Sequence, residues 1–239
     1  MIRLLLISNS TNAGEEYLQH SLPKIKNFLN GFKPKNAVFI PYAAVTFSFD
    51  QYEQKVNERL KTIGLQVTSI HHYSVPAKAI EESDLIIVGG GNTFHLLKYI
   101  QDFELIEPVR KKVESGTPYI GWSAGSNVAC PTIKTTNDMP IIEPHSFNAF
   151  NLINFQINPH YIDTHPQGHA GETREQRILE FLEVNRNVYV VGLREGTALQ
   201  IEGDKVKLIG EKPARIFHYG KQPQDITADQ DLSFLYMDF

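Results

Sequence analysis

Residues 121–125, Gly-Trp-Ser-Ala-Gly, place a serine between a short apolar run and a stretch of small residues. The pattern predicts a strand, a sharp turn and the start of a helix, with Ser123 at the apex of the turn. The two glycines lack the Cβ atoms that would clash there, and the hydroxyl would project above the sheet edge. The pentapeptide indicates a nucleophilic serine, but a chance serine at a small-residue junction explains it about equally well.

A serine nucleophile needs a base within hydrogen-bond reach and a carboxylate that orients the base. His160 follows a strand-like patch at residues 152–157, where a strand end would present it at the edge of the sheet. Asp138 lies before Pro140 in a loop short enough to fold back over the turn at Ser123. Taken singly, each is better explained as a loop histidine or a turn aspartate.

A second unusual junction is Gly89-Gly90-Gly91-Asn92-Thr93, directly after a buried strand. Its glycine spacing fits neither the dinucleotide fingerprint nor the Walker loop, so it gives little support for a nucleotide site. Beside a nucleophile, its bare backbone offers N–H groups for an oxyanion, together with the N–H that follows Ser123. A tight turn with helix capping by Asn92 or Thr93 is compatible with that role.

Metal binding is a competing interpretation, because four potential ligands fall within ten positions: His160, Asp163, His165 and His169. They lack the helical spacing of a typical zinc motif, and the segment contains Pro166 and Gly168, which indicate a loop. We therefore expect no metal and no other cofactor, and solvated loop histidines as the alternative.

Composition limits the class of protein. The chain has 239 residues, 41% hydrophobic and 21% charged, with a formal net charge of −4 and one cysteine. This charge argues against nucleic acid as a partner, and no apolar run approaches the length of a membrane span. The run at residues 4–7 is too short for a signal peptide, so we expect a cytoplasmic location and a buried, unreactive Cys130.

Short apolar runs alternate with helix-period segments through the first half, for example a helix over 15–29 after the strand at 4–7. Repeated units of this kind predict an α/β fold, a mostly parallel sheet with helices on both faces. Residues 130–172 are rich in Pro, Asn, His and Thr, and such long irregular stretches are usually functional. Short strands follow, with a hairpin turn at 202–204. We predict one domain over residues 1–239.

Five blocks occur together and in order, and they resemble serine peptidase family S51. The blocks are residues 89–93 (Gly-Gly-Gly-Asn-Thr), 121–125, the Thr135 to Pro140 segment, 158–160 (Asn-Pro-His) and 171–177 (Gly-Glu-Thr-Arg-Glu-Gln-Arg). The resemblance implies a fold like that of class I glutamine amidotransferases, no metal, and hydrolysis of dipeptides with an N-terminal aspartate.

Carried over by motif, the resemblance makes Ser123 the nucleophile, His160 the base and Asp138 the residue that orients it. The backbone N–H groups of Gly91 and Ala124 would form the oxyanion hole.

The same resemblance makes Arg174 the residue that binds the aspartyl carboxylate. A guanidinium grips a carboxylate with two charge-assisted hydrogen bonds, which agrees with that role. The alternative for both arginines is an ion pair on the face of the helix, and we keep this interpretation for Arg177 only. The roles of Glu195 and Ser126 stay open, as does whether Asp138 or another carboxylate orients the base.

The expected partner is a small-molecule substrate, and a homodimer stays open. Two alternatives remain. One is a cyanophycinase-like hydrolase that acts on aspartyl polymers, and the other is a non-catalytic α/β protein that binds a ligand.

Overall fold

The computed structural model describes residues 1–163 and 171–236, which form eleven strands and seven α-helices within those ranges. The strands are β1 (Arg3–Ile7), β2 (Ala37–Ile40), β3 (Thr68–Ser69), β4 (Leu85–Val88), β5 (Tyr119–Trp122), β6 (Gln156–Tyr161), β7 (Val190–Arg194), β8 (Ala198–Glu202), β9 (Lys205–Ile209), β10 (Ala214–Phe217) and β11 (Gln224–Ile226). The α-helices are α1 (Leu22–Leu29), α2 (Phe49–Leu60), α3 (Pro76–Glu82), α4 (Thr93–Asp102), α5 (Ile106–Glu114), α6 (Ala124–Asn127) and α7 (Arg174–Val184). Turns of 3-10 helix cover Lys61–Ile63, Ile70–His72 and Ser233–Tyr236.

The main sheet has seven strands in the order β3-β2-β4-β5-β1-β8-β9. The five strands from β3 to β1 are parallel, β8 pairs antiparallel with β1, and β9 pairs antiparallel with β8. Successive residues of β1 enter different cores: Leu4 and Leu6 pack on one face, Leu5 and Ile7 on the other. The predicted mostly parallel sheet with covered faces is confirmed. It was predictable because strands buried on both faces consist of nearly continuous apolar residues.

A second sheet of four strands has the order β11-β10-β7-β6. Strands β6 and β7 are parallel, whereas β10 pairs antiparallel with both β7 and β11. The predicted hairpin at residues 202–204 joins β8 to β9 in the main sheet. Nothing in the spacing of the apolar residues distinguishes the strands of the second sheet from those of the first, so this division was not predicted.

Two predicted elements begin later than expected. The segment before α1 forms consecutive turns with Leu18 in the left-handed conformation (φ 57°), and α1 starts only at Leu22. The strand expected at residues 152–157 is β6, which starts at Gln156 and continues through His160. No helix in the described part of the chain is long and apolar enough to span a bilayer.

Candidate active site

Ser123 lies in the turn between β5 and α6, as predicted. Its backbone is in a rare conformation (φ 54°, ψ −114°), and its N–H donates to the Ile7 carbonyl oxygen at 3.0 Å. The chain folds so tightly here that a Cβ on Gly121 would lie 2.4 Å from the Gly125 oxygen, and one on Gly125 would lie 2.2 Å from the Val88 oxygen. Both glycines of the motif are therefore required by close backbone contacts.

His160 places its Nε2 2.9 Å from the Ser123 hydroxyl oxygen. It lies inside β6, at a bulge where the pairing with β7 shifts, and it has a φ of 54°. A bulge redirects a side chain out of the regular alternation of a strand. The hydroxyl of Ser8, at the end of β1, accepts the backbone N–H of His160 at 3.0 Å and donates to the Leu193 oxygen at 2.7 Å.

The carboxylate beside His160 is that of Glu195. Its Oε1 is 2.7 Å from His160 Nδ1, so the two ring nitrogens of the histidine face Glu195 and Ser123. Glu195 lies in the turn between β7 and β8, where the N–H of Gly196 donates to the Asn9 side chain at 2.8 Å. The imidazole is about 39% exposed and the carboxylate about 42%, so the pair remains accessible.

Asp138, predicted to orient His160, lies elsewhere, and this prediction is wrong. Its Oδ2 accepts the backbone N–H of Thr93 at 2.7 Å and the Thr93 hydroxyl at 2.6 Å, which caps the start of α4. A carboxylate is favoured there because the first N–H groups of a helix are unpaired and carry partial positive charge. The neighbouring Asn137 donates to the Pro159 oxygen at 2.7 Å and so holds this loop against β6.

The glycine-rich loop passes directly beside Ser123: a Cβ on Gly90 would lie 2.9 Å from Ser123 Cβ. The buried Tyr52 hydroxyl donates to the Gly90 oxygen at 2.8 Å. Because a trans peptide points its C=O and N–H in opposite directions, the N–H of Gly91 faces away from Tyr52. Within residues 1–163 and 171–236, the N–H groups of Gly91 and Ala124 have no acceptor, so both are available to an oxyanion.

Arg174 is the first residue of α7, after the capping residue Thr173. A cation is disfavoured at this positive end of a helix. The Nε of Arg174 is buried without a hydrogen-bond partner in the described part of the chain. Burial lowers the pKa of the guanidinium and Arg177 adds to this, while Asp138 and Glu195 raise it. Arg174 is thus a half-buried cation close to the site, and none of the residues that the structure describes binds its Nε.

The remaining predicted residues have structural partners. Arg177 lies 3.6 Å from Glu172, as an exposed ion pair. Ser126 is buried and donates to the oxygens of Ile7 and Gly121. Cys130 is fully buried, which raises the pKa of its thiol to about 12, as expected of an unreactive cysteine.

The competing metal group at residues 160–169 is only partly described. His160 faces Ser123 and Glu195, and Asp163 forms a bidentate pair with Arg194. His165 and His169 lie outside the described residues. The two described members are therefore engaged with different partners.

Two residues that contribute to the geometry, Ser8 and Tyr52, were not considered as site residues. Glu195 was left as an open candidate beside Asp138. Glu195 follows β7 directly, so its position after a buried strand was an available signal. Ser8 follows β1 in the same way, whereas no local pattern identifies Tyr52, which lies within a helix.

The comparisons with known proteins identify the family of this chain. The model of Peptidase family S51 matches residues 4–209. A peptidase E from Nostoc sp. is 52% identical over 233 residues, 98% of this chain and 96% of the relative. One from Shewanella amazonensis is 48% identical over 234 residues, 98% and 99% of the two chains. A crystal structure of a peptidase from an acI-B1 Actinobacterium shares the fold, with a TM-score of 0.69 at 19% identity over 98% of each chain. This chain belongs to peptidase family S51.

Proposed function

We propose that this peptidase is a serine-type dipeptidase that hydrolyses dipeptides with an N-terminal aspartate. The observation that carries the proposal is the hydrogen-bonded series Ser123–His160–Glu195, with the half-buried cation Arg174 nearby. The series supplies a nucleophile, a base and an orienting carboxylate, and the arginine supplies a site for a substrate carboxylate.

In the first half of the reaction, Ser123 Oγ attacks the carbonyl carbon of the aspartyl residue, and His160 Nε2 takes the hydroxyl proton. The imidazolium that forms is stabilised by Glu195 at Nδ1. The oxyanion is held by the N–H groups of Gly91 and Ala124. When the intermediate collapses, the C–N bond breaks and His160 gives its proton to the leaving amine, which leaves an aspartyl ester on Ser123.

In the second half, water attacks the ester carbonyl while His160 takes a proton from the water. Collapse of the second intermediate breaks the bond to Ser123 Oγ, which recovers its proton from His160. Free aspartate is released. Every proton transfer in this sequence passes through His160 Nε2, and water is the second substrate.

Arg174 gives the proposal its substrate class. A guanidinium binds a carboxylate with two parallel hydrogen bonds, which neither an amide nor a methyl group can match. Burial strengthens this preference, because a desolvated cation gains more from an anion than an exposed one does. The side-chain carboxylate of an N-terminal aspartate would satisfy the Nε that the described chain leaves unpaired.

The test is hydrolysis of Asp-Leu and of its uncharged analogue Asn-Leu, with Ser123→Ala, Arg174→Lys and Arg177→Lys. We expect Ser123→Ala to lower kcat about 10⁶-fold, as for other serine peptidases. Arg174→Lys should lower kcat/KM for Asp-Leu about 100-fold, the cost of disturbing a desolvated charge pair, with little change for Asn-Leu. Arg177, exposed and paired with Glu172, is the matched control and should have little effect.

Equal losses on Asp-Leu and Asn-Leu in Arg174→Lys would remove the arginine from substrate recognition. Full activity of Ser123→Ala would overturn the serine mechanism. A long Asp-initiated peptide cleaved as fast as Asp-Leu would overturn the restriction to dipeptides, and degradation of an aspartyl polymer without dipeptide cleavage would favour the cyanophycinase-like alternative.

A further inference from the structure

A group of two imidazoles and two carboxylates lies away from the active-site residues, beside the edge strand of the main sheet. Asp50 and Glu53 are one turn apart near the start of α2. His71 and His72 belong to the 3-10 turn that follows β3, the outermost strand. The helix and the turn therefore bring the four side chains together from different parts of the chain.

The donor atoms of this group converge. Asp50 Oδ1 is 3.0 Å from His71 Nε2 and 3.8 Å from His72 Nε2, and one donor atom from each of these three residues lies within 4.8 Å of the others. Glu53 Oε2 is 2.6 Å from His72 Nε2. Tetrahedral Zn²⁺ with bonds of 2.0–2.1 Å separates its ligand atoms by about 3.3 Å, so small side-chain movements suffice to admit the ion.

Neighbouring groups already hold these side chains in place. His71 Nδ1 is 2.6 Å from the hydroxyl of the buried Ser69, which leaves Nε2 as the nitrogen that faces Asp50. The backbone N–H of Ser69 donates to Glu53 Oε1 at 2.7 Å, which leaves Oε2 to face His72. Metal-binding histidines commonly have such a hydrogen bond at the second ring nitrogen, because it fixes the tautomer and the ring orientation.

We propose that Asp50, His71 and His72 bind a divalent transition metal, with Glu53 as the adjacent donor for a fourth position. Imidazole and carboxylate ligands together suit Zn²⁺ and its neighbours in the first transition series, not Mg²⁺ or Ca²⁺. The ion takes the position between the imidazole Nε2 atoms and the carboxylate oxygens that their hydrogen bonds now occupy, and any proton on Nε2 moves to Nδ1 or to solvent. It links α2 to the sheet edge, so it stabilises the folded chain without taking part in peptide hydrolysis.

The experiment is calorimetric titration of the purified full chain with Zn²⁺ near pH 7.5, with Co²⁺ absorption spectra to report the coordination. We expect the wild type to bind one ion per chain at this site and its Tm to rise. His71→Ala and Asp50→Asn should each abolish this binding, and Ser69→Ala should weaken it about tenfold by loosening His71. Asp50→Asn keeps the size of the side chain, so it removes a ligand with little disturbance of the fold.

His145→Ala is the matched control, because His145 is an exposed histidine paired with one carboxylate, Asp102, at 2.8 Å. It should bind Zn²⁺ like the wild type. Absence of one-to-one binding in the wild type would overturn the proposal. Unchanged affinity in both His71→Ala and Asp50→Asn would also overturn it, because the zinc would then be bound elsewhere on the chain.

Discussion

Hydrogen bonds to neighbouring residues position Ser123, His160 and the turn that carries Glu195, and this sets the geometry for the proposed proton transfers. Ser123 is held by the Ile7 oxygen, and His160 by the Ser8 hydroxyl. Glu195 stands beside Gly196, whose N–H is bound to Asn9. A proton on Nδ1, which faces Glu195, leaves the lone pair of Nε2 directed at the Ser123 hydroxyl, and this is the tautomer that the proposed general base requires.

Glu195→Gln should therefore lower kcat by about 10³- to 10⁴-fold, as loss of the orienting carboxylate does in other triads. The amide cannot stabilise the imidazolium, and it can donate to Nδ1, which would favour the wrong tautomer. The measurement is kcat for Asp-Leu, with the low-field proton resonance of His160 Nδ1–H as a second readout. That resonance should be lost or strongly shifted in Glu195→Gln.

Asp138→Asn is the informative comparison. We expect it to reduce activity as well, because it weakens the cap that holds Thr93 two residues after Gly91. It should nevertheless leave the Nδ1–H resonance of His160 in place. Loss of the resonance in Asp138→Asn, with retention in Glu195→Gln, would show that the wrong carboxylate has been assigned.

The sequence predicts which residues could take part in the chemistry better than it predicts which residues they contact. Ser123 was predictable because its turn leaves a local signature of glycines. His160 was predictable through the family blocks. The choice between Asp138 and Glu195 was not, because the loops that carry them both lie beside β6, and only the folded structure shows which carboxylate reaches His160 Nδ1.

At the scale of elements, the active site depends on a junction of β1, β6 and β7. Ser8, at the end of β1, is fully buried, and its hydroxyl connects the N–H of His160 in β6 to the Leu193 oxygen in β7. His160 has a left-handed φ that a non-glycine residue adopts only at a cost. The Ser8 hydroxyl is the partner that satisfies its backbone in that conformation, so Ser8 is a positioning residue.

Ser8→Ala should lower kcat about 10- to 100-fold, because a shift of the base by about 1 Å can cost that much. KM should change little, since Ser8 is fully buried and contacts the backbone of His160, so we do not expect it to contact the substrate. The matched control is Ser126→Ala, which removes another buried hydroxyl near Ser123. In Ser126→Ala the Ile7 oxygen would still accept the Ser123 N–H, so we expect a nearly normal kcat. The lost hydroxyl should lower the free energy of unfolding by about 1 kcal/mol. Equal kcat losses in both variants would contradict the positioning role.

The elements themselves were largely predictable, because apolar periodicity identifies strands buried on both faces and amphipathic helices. The predicted elements are wrong where a specific hydrogen bond or strand pairing decides the backbone conformation and the apolar periodicity does not. The segment before α1 has helical spacing, but Leu18 adopts a left-handed conformation, and its N–H bonds to the Ser10 oxygen. The bulge at His160 likewise has no signature in residue spacing, since it depends on the pairing of β6 with β7.

For the whole molecule, Arg194 connects the strands of the second sheet to the loop after β6. Its guanidinium binds Asp163 with two hydrogen bonds, and it also contacts Asp225 and the Pro213 oxygen. Arg194 immediately precedes Glu195, so this network fixes the end of β7 from which the catalytic turn departs. The hydrogen bonds from Arg194 lower the pKa of Asp163, against the opposing effect of burial.

A lowered pKa in the folded chain means that the Asp163 pair stabilises the protein fully above the ordinary pKa near 3.8 and loses this contribution as pH falls through the folded value. Asp163→Asn should reduce the free energy of unfolding by about 1 kcal/mol at pH 7, since Asp163 is half exposed and solvent screens the pair. The difference from wild type should shrink as the pH falls to 3, as measured by urea denaturation.

The control is Asp204→Asn, at the β8–β9 turn, since Asp204 makes no ion pair with any residue that the structure describes. Its effect on stability should be small at both pH values. A difference for Asp163→Asn that persisted undiminished at pH 3 would contradict an electrostatic origin.

The division of the active site between two sheets also means that its residues emerge at different times during synthesis. Ser123 leaves the ribosome first, His160 follows 37 residues later, and Glu195 comes after a further 35. Strand β8, which covers the open edge of β1, emerges later still. A nascent chain thus carries Ser123 before the proposed base and its carboxylate have been made, so the series Ser123–His160–Glu195 is complete only after the turn that follows β7 has emerged.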